Sequence, residues 1–165
     1  MDIGIDAENS AFQASMENPG FLIRRLNQIY AALFAEESVG LDITPVQLCV
    51  LAAVGRKGGR DQSAIAEEIG ADRATLASVA ARLEGGGLIR RAVSRTDQRQ
   101  KLLFLTAKGR SILTKMQKPL ANTNERSLAP LDPTERELFL SLLAILVDGG
   151  NQHARAKLRL DQTAD

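Results

Sequence analysis

Residues 72–109 read DRATLASVAARLEGGGLIRRAVSRTDQRQKLLFLTAKG, and this stretch decides the fold. Leu76, Val79, Ala80 and Leu83 fall at i, i+3, i+4 and i+7, the apolar stripe of a helix, with Asp72 in front of it as a cap. Gly85, Gly86 and Gly87 end that helix. Two strand-like runs follow, Leu88–Val93 and Lys101–Thr106, joined by the polar tip Ser94–Gln100, which is the pattern of a β-hairpin. The helix has two unlike faces. Its stripe fits against a core, whereas Arg73, Ala74, Ala77, Ser78 and Ala81 fall on or near the opposite side. Small residues there let a helix approach the floor of a DNA major groove, and Arg73, Thr75 or Ser78 can bond to base edges or phosphates. Taken alone, such a helix also suits an ordinary bundle. The hairpin directly behind it favours the first reading.

Working outward, Asp61 can cap a short helix, QSAIAEEI, that stops at Gly70 two residues before Asp72. Upstream, Thr44-Pro45-Val46-Gln47 is a helix start with threonine at the cap, proline first and glutamine third. That helix runs through VQLCVLAAV to the loop Gly55–Arg60. Helix, short helix, tight turn, helix and hairpin together make a winged helix-turn-helix. Outside it, FLIRRLNQIYAALFAEE (21–37) carries Leu22, Leu26, Ile29 and Leu33 on one stripe and Ile23, Tyr30 and Phe34 on another. A helix apolar over so wide an arc needs cover on more than one side, and a second subunit is one way to supply it. A helix from about Ala107 to Leu128 follows the wing, and Asp132-Pro133-Thr134-Glu135 opens the last one. Gly149-Gly150 is expected to interrupt that helix, and the basic piece HARAKLRL (153–160) to resume it. The expected fold is mainly α with a small β-hairpin wing, after a loose arm at residues 1–18.

The net charge of +1 hides a division. Arg56 to Arg110 holds 12 Lys/Arg against 6 Asp/Glu, and the rest of the chain 9 against 14. A basic middle with acidic flanks points to a polyanionic partner for the middle. The hairpin concentrates the charge: Arg90, Arg91, Arg95, Arg99 and Lys101 surround one acid, Asp97. Phosphates on either side of a minor groove would relieve their mutual repulsion with release of counterions, and a narrow groove attracts arginine strongly. Asp97, two residues from Arg99, can orient its guanidinium. The basic loop Gly55–Arg60 is expected to touch the DNA backbone.

At this point the sequence resembles the multiple-antibiotic-resistance regulator (MarR) family of transcription factors. The likeness covers about residues 20–148 and is tightest in TPVQLCVLAAV, QSAIAEEIGADRATLASVAARLEGGGLIRR and TDQRQKLLFLTAKG. The family's wing pattern is present as Asp97, Arg99, Leu105, Thr106 and Gly109. The resemblance implies a homodimer whose terminal helices interlock, two recognition helices in successive major grooves of a pseudo-palindromic site, and a small ligand that weakens DNA binding. It divides the domain at 19–165 into a winged helix-turn-helix at about 44–106 and dimerisation helices at 19–40 and 107–160. It places DNA recognition within Asp72–Arg82, with Arg73, Thr75, Ser78 and Arg82 as contacts, and on the wing at Arg95, Asp97 and Arg99. Two departures stand out. The usual Asp-Arg-Arg is Asp97-Gln98-Arg99 here, which removes one backbone contact. Gly85-Gly86 replaces polar residues, so this point is either a loosened joint or a plain helix end.

Arg24 and Arg25 sit in the apolar first helix and need partners if buried. A salt bridge to Glu36, Glu37 or a second subunit is one option. An incoming carboxylate or phosphate is the other, since guanidinium binds such groups in bidentate fashion. The first helix also resembles that of regulators of aromatic-acid breakdown, some of which sense the coenzyme A thioester. Arg24, Arg25 and Gln28 are therefore the candidate ligand residues, for a small anionic aromatic compound or its thioester. Cys49, amid LCVLAAV, is expected to be a small core hydrophobe rather than a redox sensor. His153, the only histidine, is expected on the surface of the last helix, and no metal site is expected. No zinc-protease, nucleophile-elbow or phosphate-loop motif occurs, which argues against an enzyme or a cofactor. A winged helix reused for protein contacts remains the rival class, predicting weak, salt-insensitive DNA association. With no signal-like start, no long apolar run and one cysteine, a cytoplasmic protein without membrane attachment is expected.

Overall fold

Four of the helix starts foreseen from local sequence are capped as predicted in the computed structural model, which describes residues 12, 14–94, 100–154 and 156–158. The elements run in the order α1 (Pro19–Glu37), α2 (Pro45–Arg56), β1 (Arg60–Asp61), α3 (Gln62–Ile69), α4 (Arg73–Gly85), β2 (Ile89–Val93), β3 (Lys101–Leu105), α5 (Ala107–Leu128) and α6 (Pro133–Gly150). Thr44 and Gln47 form a reciprocal capping box on α2, and Asp132 and Glu135 form another on α6. Asp61 accepts from the Ala64 amide at 3.0 Å, and Asp72 from the Thr75 amide at 2.8 Å. Each such cap satisfies an amide that the helix itself cannot. Asn18 does the same for α1, and residues 14–16 just before it are helical, so that part of the expected loose arm is ordered.

The strands form one antiparallel sheet in the order β1-β3-β2. Ile89 pairs with Leu105 and Val93 with Lys101, which fixes the wing's register. The third strand was not foreseen: Arg60 and Asp61 pair with Leu103 and Leu102. Two residues carry no periodicity, so only their distant partner makes them a strand.

The core joins α2, α3 and α4 to the base of the wing. Leu51, Ile65, Leu76, Leu83 and Leu103 are at most 1% exposed, with Phe34 closing it from α1 and Met116 from α5. Burying each such side chain contributes about 1.5–3 kcal/mol. Cys49 is not among them. It is exposed, because its flanking residues Leu48 and Val50 take the inward positions on α2. Its thiol is nevertheless crowded enough that desolvation raises its pKa.

The outer helices are less covered. Leu22, Ile23, Leu26 and Ile29, on the two stripes of α1 expected to need cover on more than one side, are exposed in the single chain. No residue of α6 is buried, and Leu138, Leu140, Leu142, Ile145, Leu146 and Val147 stand exposed along it. An apolar groove of about 570 Å³ runs between α1, α5 and α6. Gly149 and Gly150 do not interrupt α6 but form its last residues. Beyond them lie one 3-10 turn, Asn151–His153, and non-helical chain at 156–158, so HARAKLRL does not resume a helix in the described part, and exposed His153 sits in the turn. Among the described residues, no helix is long and apolar enough to cross a membrane, and no cluster of His, Cys, Asp and Glu could hold a metal.

Candidate nucleic-acid interface

The exposed face of α4 is built by what its other face buries. Leu76, Val79, Ala80 and Leu83 are inside, so Arg73, Ala74, Thr75, Ala77, Ser78, Ala81 and Arg82 all face solvent. Ala74, Ser78 and Ala81 stand opposite the buried stripe, and nothing longer than a hydroxyl projects from that line. At the leading end Asp72 accepts both the Thr75 amide and the Thr75 hydroxyl, the latter at 2.7 Å. The amide first and then the hydroxyl hold the Asp72 carboxyl below the usual carboxylate range. At the trailing end Arg82 borders a cleft of about 870 Å³ beneath α1, so it sits at the edge of this face.

The triglycine is a helix end, not a loosened joint. The Leu88 amide donates to the Leu83 carbonyl at 2.8 Å and the Gly87 amide to Glu84 at 2.9 Å, with Gly87 at φ 70. These bonds make a Schellman motif, in which a left-handed glycine lets the last carbonyls find donors. A second brace comes from α5. Thr106 caps α5 by accepting from the Gly109 amide at 3.0 Å while its hydroxyl donates to the Gly87 carbonyl at 2.7 Å. Lys108 donates to the Gly86 carbonyl at 2.8 Å. Gly109 is required by contact: a Cβ there would stand 2.1 Å from the Leu88 carbonyl oxygen. Thr106 and Gly109 entered the sequence reading as parts of a pattern, and their role as a brace between α4, wing and α5 was missed.

On the wing, Ser94 donates its amide to the Gln100 carbonyl at 3.0 Å where the strands part. The expected tip contacts Arg95, Asp97 and Arg99 lie outside the described residues. Among the described basic residues of the wing, Arg90 and Arg91 are engaged within the protein. Arg91 Nε lies 3.2 Å from Glu84 of α4, and the Arg90 guanidinium stacks 4.4 Å above the Phe104 ring. The Glu84–Arg91 pair joins α4 to β2, and sequence spacing gave no sign of it. In the basic loop, Arg56 pairs with Glu68 at 2.8 Å while staying 47% exposed, and the less exposed Arg60 pairs with the same carboxylate. Arg60, which also donates to the Ala64 carbonyl at 3.0 Å, thereby ties β1 to α3, and Arg56 ties the end of α2 to the same helix.

The candidate ligand residues do not converge on a cavity. Arg24, Arg25 and Gln28 are exposed on α1, with Arg24 over the Phe21 ring at 5.1 Å and Arg25 donating to Gln28 at 3.4 Å. Exposure removes the premise that the two arginines are buried in the single chain. Neither pairs with Glu36 or Glu37, which lie about three turns further along the same helix; Arg126 of α5 takes both carboxylates at 2.7 Å. The apolar groove is lined instead by neighbours on α1 such as Ile23, Leu26 and Tyr30.

Comparison with known proteins agrees with this geometry. The MarR family model matches residues 41–100. The transcriptional regulator HosA of Escherichia coli O127:H6 is 34% identical over 121 residues, 73% of this chain and 88% of HosA. CouR, a transcriptional repressor solved bound to a 23-mer DNA duplex, is 31% identical with a TM-score of 0.73, over 79% of this chain and 92% of CouR. BpsR of Bordetella bronchiseptica, whose DNA binding is regulated by 6-hydroxynicotinic acid, is 27% identical with a TM-score of 0.71, over 77% of this chain and 96% of BpsR.

Proposed function

Because the chain belongs to the MarR family, we propose that it acts as a dimeric repressor, released from a pseudo-palindromic operator by a small anionic aromatic compound or its coenzyme A thioester. The observation that carries the DNA half is the face of α4, where Arg73, Thr75 and Ser78 flank alanines above a fully buried stripe. In this reading that face enters the major groove, with Arg82 at its margin. Arg99, oriented by Asp97 and aided by Arg95, enters the adjacent minor groove. The dimer half rests on α6, an 18-residue helix with no buried residue. Helices in proteins take most of their stability from packing an apolar face against a neighbour. The effector half rests on Arg24, Arg25 and Gln28, cationic and polar groups at the edge of the apolar α1 face, and on BpsR, whose regulating compound is an aromatic acid.

Fragments of the source genome retained by the protein supply the duplex for the test. Its affinity should fall steeply with salt, and Arg99→Ala should weaken binding about tenfold and lower the slope of log K against log salt by about 0.9. A flat salt dependence, or an Arg99→Ala variant of full affinity, would favour the protein-contact class instead. Titration with aromatic acids should release the duplex, and Arg24→Ala with Arg25→Ala should blunt that release; full response in both removes them from the site.

A further inference from the structure

Beyond α6, the described residues up to Leu158 are tied to the helix-turn-helix, a contact that the winged-helix plan does not require. After the 3-10 turn at Asn151–His153 the chain folds back, and the Asn151 side chain brackets Leu158. Its Nδ2 donates to the Leu158 carbonyl at 2.7 Å, and its Oδ1 accepts from the Leu158 amide at 2.7 Å. The Leu158 side chain is thereby set against Gly70, 3.5 Å from the point where a Cβ would stand. Gly70 is the left-handed cap (φ 64) that ends α3 and turns the chain into α4. Beside it, exposed Lys157 borders a cleft of about 300 Å³ together with Ser63, Glu67, Asp72 and Arg73.

Ser63 and Arg73 lie in the first turns of α3 and α4. Helix starts of this kind face phosphates in helix-turn-helix complexes, where orphan amides and the helix dipole favour negative charge. Asp72 stays ionised, its carboxylate oriented back onto the Thr75 amide and hydroxyl, and Glu67 adds a second acid to the cleft. The contact therefore rests on the exposed Lys157 and Arg73 side chains at its rim. Resting on the DNA-binding reading above, we infer that the tail is a second part of the DNA-binding surface. Lys157, held next to Arg73 by the docking of Asn151, Leu158 and Gly70, contacts a backbone phosphate alongside the groove that receives α4. Being a point charge on a flexible stem, the lysine adds affinity without reading sequence.

The full chain and the duplex retained from the genome provide the test, by fluorescence anisotropy over a range of salt. Lys157→Ala should weaken binding about three- to tenfold and lower the salt slope by about 0.9, the value for one lost phosphate, while Lys157→Arg should retain both. Asn151→Ala and Leu158→Ser, which change no charge, should have the same effect by releasing the tail. Lys157→Ala with unchanged affinity and slope overturns the inference. A weakened Lys157→Ala beside unaffected Asn151→Ala and Leu158→Ser overturns the docking argument. Lys157 is exposed, so its variant should keep the parent's circular dichroism. Failure of the unaltered chain to bind any duplex falls on the regulator reading itself.

Discussion

One methyl group tests the joint between wing and helix. Gly109→Ala adds a Cβ 2.1 Å from the Leu88 carbonyl oxygen, which already accepts the Thr106 amide at 3.1 Å. Gly109 lies in the first turn of α5, where alanine gains only a fraction of the about 1 kcal/mol it is worth over glycine in a helix interior. Overpacking against a fixed group costs about 1–3 kcal/mol. Backbone cannot yield as a side-chain tip can, so the steric effect wins. The variant should be about 2 kcal/mol less stable by urea denaturation, and an equal or higher midpoint would refute the brace. At this scale the sequence was partly legible. Leu76, Val79, Ala80 and Leu83 declared their burial by spacing, since one helix period relates them all. Cys49 did not, because a run of uniformly apolar residues on α2 leaves the inward direction undetermined until α3 and α4 are in place. Its raised thiol pKa keeps it protonated at neutral pH, the opposite of a peroxide-sensing thiolate.

Between elements, the contact of α1 with α5 has a charged clamp with a definite response to acid. The side-chain amide of Asn122 and then the guanidinium of Arg126 hold the Glu37 carboxyl below its ordinary value. A carboxyl lowered on folding contributes stability that is full above its unfolded value, about 4.3, and is lost as pH falls through the lower folded value. The thermal midpoint should therefore decline more steeply below about pH 4 in the parent than in Glu37→Gln. Equal acid slopes would remove the clamp as a source of stability. Helix starts were readable because Thr44, Asp61, Asp72 and Asp132 each cap amides within three residues. What sequence hid was made by distant partners. β1 exists through Leu102 and Leu103, the Arg91–Glu84 pair spans a helix end, and α6 keeps its two glycines at a terminus where nothing demands a side chain.

For the whole molecule, the exposed leucines and isoleucine of α6 and the apolar face of α1 require cover that one chain does not provide. A 17.8 kDa chain should sediment at twice that mass. Ile145→Glu with Leu140→Glu should yield monomers that keep a folded winged helix but lose most operator affinity, because two half-sites can no longer be held at once. A parent that sediments as a monomer would end the two-fold reading. Were Thr75 to meet a base, as the proposed function has it, its hydrogen bond to Asp72 would restrict the operator. With its hydroxyl hydrogen directed back at the cap, Thr75 presents only lone pairs to the groove. A base opposite it must bring the hydrogen, as the exocyclic amino groups of adenine and cytosine do and the keto oxygens of guanine and thymine cannot. Symmetry then imposes the same chemical demand, inverted, on the other arm of the palindrome.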